Sequence, residues 1–117
     1  MGKFEKLLVW QIAKGIAIKI YRLTDSNCFS KDFGLKDQIQ RASVSIASNI
    51  AEGDEQGSDK QSVRYFYIAK GSIAELITQL TIANEIGYIE EKLKDQLIDE
   101  CDKISAMLSK LIKARSQ

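Results

Sequence analysis

Proline and histidine are both absent from all 117 residues. Average usage would place about six prolines in a chain of this length. Without them nothing interrupts i→i−4 hydrogen bonding, so the composition leans all-helical. The missing histidine removes the commonest general base and the commonest metal ligand. It also excludes a di-iron bundle, which needs Glu-x-x-His motifs on facing helices. Cysteine is scarce as well: Cys28 and Cys101 form no C-x-x-C pair and assemble no zinc set. There is no long apolar run, so no membrane-spanning helix is expected, and no signal peptide is evident at the N-terminus. A cytoplasmic location is the default. An excess of charge of one sign is lacking too, with 17 basic against 16 acidic side chains. A nucleic-acid-binding domain more often has a pI above about 9.

What is present reads as one domain, residues 1–117, with 44% hydrophobic and 28% charged residues. At ~100° per residue four segments show a helical period, about 7–24, 35–55, 59–86 and 90–114. In the first, Val9, Ile12, Ala13, Ile16, Ala17, Ile20 and Tyr21 share one half, while Ile18 stands among polar neighbours. The stretch 24–34, rich in Ser, Asn and Asp, reads as a loop. The second helix has a core stripe of Leu35, Ile39, Ala42, Ile46 and Ile50, and many small residues beside it. Ser58 followed by Gln61 has the capping-box form and opens the third helix; Gly87 closes it. Tyr65, Ala69, Leu76, Leu80 and Ala83 make its core stripe. Gly71 lies mid-helix, at about 1 kcal/mol relative to alanine, which a close crossing against the second helix would offset. Leu93, Leu97, Cys101, Ile104, Leu108, Leu111 and Ile112 line the fourth helix, and Cys101 reads as a buried thiol. Short turns make neighbours antiparallel. The expected architecture is an all-α, up-down-up-down four-helix bundle.

Catalytic parts are hard to find. Lys70-Gly71-Ser72 lacks the glycine spacing of a phosphate loop and sits inside a helix. Glu52, Asp54, Glu55 and Asp59 do not have calcium-loop spacing. No metal or other cofactor and no enzymatic activity are expected. The most informative constellation is polar: Gln38, Arg41, Ser45, Asn49 and Glu52 ladder down one flank of the second helix, facing Arg64, Glu75 and Gln79 on the third. Arg41 or Arg64 would pair with Glu52 or Glu75, either as a network fixing helix register or as a ligand site. Residues 1–49 carry 8 basic and 4 acidic side chains, 50–117 carry 9 and 12. Lys3, Lys6, Lys14, Lys19 and Arg22 are thus candidate contacts to nucleic acid, and equally what solvates an amphipathic helix.

The same segments resemble a known family, the 23S ribosomal RNA intervening-sequence proteins. The matching elements are Phe4-Glu5-Lys6-Leu7, Val9-Trp10-Gln11, Phe33-Gly34-Leu35, Arg41-Ala42 and Ser48-Asn49-Ile50-Ala51-Glu52-Gly53. Helix 3 adds Arg64, Ile68-Ala69, Gly71-Ser72, Glu75-Leu76 and Thr78-Gln79-Leu80, before Gly87-Tyr88. The resemblance implies a four-helix bundle that assembles into a homo-oligomeric ring, a homopentamer, without enzymatic activity. It also implies kinship with the accessory protein of diversity-generating retroelements, which looks like a nucleic-acid-binding partner of a reverse transcriptase. RNA or DNA is therefore a candidate partner; a protein-only adaptor is the alternative. Family members commonly have proline where Ala47 stands and near Cys28, and arginine near Gln56. Those departures imply a more regular second helix and a less basic turn.

Overall fold

In the computed structural model, which describes residues 3–116, the apolar stripes close on one another in four long helices. A 3-10 turn, Phe4–Lys6, leads into α1 (Leu8–Thr24). A four-residue α2 (Asn27–Ser30) precedes α3 (Phe33–Asp54), α4 (Asp59–Glu85) and α5 (Glu91–Arg115). Around the bundle α1 packs on α3, α3 on α4, α4 on α5, and α5 back on α1. Each long helix is thus flanked by its sequence neighbours, as the antiparallel up-down-up-down topology requires. The α3–α4 pairing is the most extensive, and the molecule measures 45 × 24 × 21 Å.

The helix ends follow from identifiable signals. Ser58 Oγ accepts a hydrogen bond from the Gln61 amide, 3.3 Å, which satisfies one orphan donor of α4. Past its far end Gly87 takes φ +86°, the Tyr88 amide donates to the Ala83 carbonyl and the Gly87 amide to Asn84. That is a Schellman ending, and the left-handed backbone requires glycine there.

Several expectations are corrected. Residues 24–34 are not a plain loop: α2 folds inside them because Phe29 is wholly buried, edge-on to Tyr88 at 5.2 Å. Helix α3 begins at Phe33, earlier than Leu35, because Asp32 caps it by accepting from the Leu35 amide. The other oxygen of Asp32 accepts from the Tyr88 hydroxyl, 3.0 Å, tying the α4–α5 turn to the start of α3. Phe66, not its neighbour Tyr65, fills the core, and Tyr21 stands in the open. Gly71 is exposed, with nothing within 4 Å of the place a Cβ would take. The close crossing is made instead by Gly53: a Cβ there would stand 2.6 Å from Phe66 Cε1 and 3.2 Å from the Ser62 carbonyl oxygen. The turn between α3 and α4 is closed by that contact.

Candidate functional site

An open concavity lies between α1 and α3. Its volume is about 620 Å3. Helix α1 has its core face inward, so Trp10, Ile18 and Tyr21 fall on the flank that faces α3; α3 contributes Val44, Ala47 and Ala51. The alanines keep the floor low, and the larger side chains stand as walls. Ile18, Tyr21 and Val44 are 44%, 46% and 41% exposed, so this apolar surface is open to solvent. Ile18 was the exception to the α1 pattern, and it is indeed uncovered here. The groove itself requires the side of α3, which no single-helix period shows.

Two of the five candidate basic residues rim this groove, Lys14 and Arg22. Lys14 Nζ sits 5.1 Å from the centroid of the Trp10 ring, a cation–π contact, and Trp10 in turn meets Phe4 edge-on. Lys3 and Lys6 are exposed in the N-terminal turn. Lys19 points elsewhere, bonded to Glu100 on α5 at 2.8 Å. The five therefore do not form one patch.

The polar ladder is partly assembled. Asn49 Nδ2 donates to the carbonyl and hydroxyl oxygens of Ser45, and Ser45 Oγ meets Ser72 Oγ at 2.8 Å. Ser72 stood in the sequence only within the rejected phosphate-loop triplet and the family match, and its place opposite the small-residue run of α3 is what makes it a partner of the ladder. Arg41 bonds Asp37 one turn back on its own helix, not Glu52 or Glu75. Glu52, Arg64 and Glu75 are exposed and form no ion pair among the described residues, because their flank turns outward from the α3–α4 seam. Gln79 is nearly buried, and its Oε1 has no hydrogen-bond partner among the described residues. It lies by a notch of about 260 Å3 that Gln38, Arg41 and Glu75 also line.

A second polar cluster was not foreseen. Arg115 donates to Asp54 Oδ1 and Ser62 Oγ, both at 3.0 Å, with its guanidinium over the Phe66 ring. Standing in the last turn of α5, Arg115 also complements the helix macrodipole. In the fold it latches the end of α5 to the α3–α4 turn.

None of these places pairs a nucleophile with a base. The Cys101 thiol is sealed in the core, where burial first and then Asp102 and Glu100 push its pKa up to about 12. Among the described residues no group of three or more potential metal-ligating side chains converges, and no helix is long and apolar enough to cross a membrane.

No curated protein matches this chain. Among solved structures, a protein of unknown function from the S23 ribosomal protein family of Bacteroides thetaiotaomicron superposes with a TM-score of 0.83 at 23% identity. The match covers 91% of this chain and 99% of that one, and it establishes the shared fold. The family model described as 23S rRNA-intervening sequence protein matches residues 5–110, nearly the whole sequence. The chain therefore belongs to the 23S rRNA-intervening sequence protein family.

Proposed function

We propose that the protein is a non-enzymatic, cytoplasmic assembly subunit, which binds copies of itself through the α1–α3 groove. The observation that carries this reading is the open apolar concavity holding Ile18, Tyr21 and Val44. Contiguous exposed apolar surface rimmed by polar residues is a place where a partner can dock. A complementary ridge exists on another face: Ile68, Ile82 and Ile86 stand exposed on the outer side of α4, with Gly71 between them. The groove rim carries Lys14 and Arg22, while the ridge carries Glu75 and Glu85 beside a single cation, Arg64, so acidic groups predominate there. Two different surfaces that fit each other make a head-to-tail contact, which closes into a ring when the rotation permits. Five subunits is the count that the family resemblance implies.

Sedimentation of the full chain at micromolar concentration tests this. The expected result is a single oligomeric species, reduced to monomer by Ile18→Glu with unchanged helical content. A wild-type monomer would overturn the reading.

A second reading is favoured by the aromatic and basic lip of the same groove. Lys14 over Trp10, with Arg22 and Tyr21 nearby, combines charge with stacking surface, as single-stranded nucleic acid requires. Lys3 and Lys6 would extend it, and ring formation would repeat it. RNA binding that weakens with salt and falls in Lys14→Ala would support this; no binding at low salt would end it.

A further inference from the structure

A separate cavity opens on the opposite side of the bundle, between α4 and the last turns of α5. Its volume is about 360 Å3, and its polar side chains are Tyr67, Lys70, Ser109, Lys113 and Ser116. Among the described residues no carboxylate lines it. Lys70 is half-buried, and its Nζ donates to Ser109 Oγ. Neither lysine takes part in an ion pair among the described residues. Lys113 sits in the last turn of α5 and complements the helix macrodipole, which accounts for one ammonium. It does not account for Lys70, a half-buried side chain whose ammonium, in an exposed bond, has a hydroxyl partner where a carboxylate would be usual.

Donors remain free around this space. Counting bonds among the described residues, Lys70 has two unused N–H groups, Lys113 has three, and the Ser109 and Tyr67 hydroxyls each have one to give. Ser116 has spent its proton on the Ile112 carbonyl. Two ammoniums sharing a cavity repel one another until an anion enters, and charge-assisted bonds to a phosphate oxygen are among the stronger ones. The ring of Tyr67 and the side chain of Ile112 provide an apolar wall for whatever carries the anion.

We propose that this cavity binds a phosphate monoester dianion, either a free phosphate compound or the terminal phosphate of a nucleic-acid strand. Lys70 and Lys113 supply the charge, and Ser109 and Tyr67 orient the oxygens. The cavity shares no residue with the α1–α3 groove and its basic lip, or with the three isoleucines of the α4 ridge, although Tyr67 and Lys70 adjoin Ile68 and Gly71 in sequence.

The test is an amide-resonance titration of the full chain with inorganic phosphate, adenosine 5′-monophosphate and adenosine. Phosphate and the monophosphate should give saturating shifts confined to the facing parts of α4 and α5, and adenosine none. Lys70→Gln, with a melt like that of wild type, should bind about tenfold more weakly. Binding should also weaken at about pH 5, below the second phosphate pKa of about 6. Shifts that never saturate, or an unchanged isotherm in Lys70→Gln, would overturn the proposal. Oligonucleotides with a 5′-phosphate or a 5′-hydroxyl then identify the source. A gain from the 5′-phosphate over free phosphate assigns a strand end; no gain assigns a free compound. Equal, Lys70-dependent binding of the 5′-hydroxyl strand would replace the monoester with a diester backbone and overturn the proposal as stated.

Discussion

At the scale of single residues, two buried groups set measurable expectations. Cys101 is wholly enclosed, and burial holds its thiol neutral up to about pH 12. In the unfolded chain the same thiol ionises near about 8.5. Between those values the unfolded state gives up a proton that the native state keeps, so stability falls as pH rises, by up to ~1.4 kcal/mol per pH unit. Cys101→Ala leaves a small cavity but removes this linkage. The stability gap between wild type and variant should therefore narrow from about pH 8.5 upward, as denaturant melts across that range would record. A gap of constant size would show that the thiol is reached by solvent. Gln79 poses the opposite case: its buried Oε1 lacks a partner, at a cost of about 1–3 kcal/mol. Gln79→Met keeps the side chain's length and removes the orphan. A rise of about 1 kcal/mol in unfolding free energy is expected, and a lower urea midpoint would mean that the amide is satisfied.

At the scale of the elements, the two notable helical glycines trade roles. Gly71 interrupts α4 where nothing approaches it, and Gly53 ends α3 against the Phe66 ring. Gly71→Ala should stabilise the folded subunit by about 0.5–1 kcal/mol through helix propensity. Gly53→Ala drives a methyl into Phe66 and the Ser62 carbonyl, and overpacking of that kind costs about 1–3 kcal/mol. Thermal melts of the two variants should move in opposite directions. The pair also shows what was legible beforehand. Helix ends written in local chemistry, Ser58 and Gly87, were readable, as were the core stripes of α3 and most of α1 and α5. Which glycine meets a neighbour is a fact about two helices, and period on one helix does not carry it. The same applies to the polar ladder. Its spacing revealed Ser45 and Asn49 as neighbours, but their partner Ser72 and the outward turn of Arg41, Glu52 and Glu75 depend on how α3 rotates against α4. Helix α2 escaped notice because four residues are too few to show a period, and a single phenylalanine, Phe29, determines it.

At the scale of the whole molecule, the basic and acidic totals nearly cancel, but the surfaces that matter are distinguished by apolar exposure rather than by net charge. The groove of α1 and α3 and the ridge of α4 lie on different faces, and a head-to-tail contact uses one of each per subunit. This geometry makes a prediction that a two-fold dimer does not. Ile18→Glu spoils the groove and leaves the ridge intact; Ile82→Glu spoils the ridge and leaves the groove intact. Each variant alone should sediment as a monomer, since every contact needs both surfaces. Mixed together, the sound ridge of the first should enter the sound groove of the second. One contact then forms, and the remaining two surfaces are both damaged, so growth stops at a heterodimer. Sedimentation of the equimolar mixture should show that dimer and nothing larger. If Ile82→Glu alone still associates while Ile18→Glu does not, the groove pairs with its own copy, and the ring gives way to a two-fold contact.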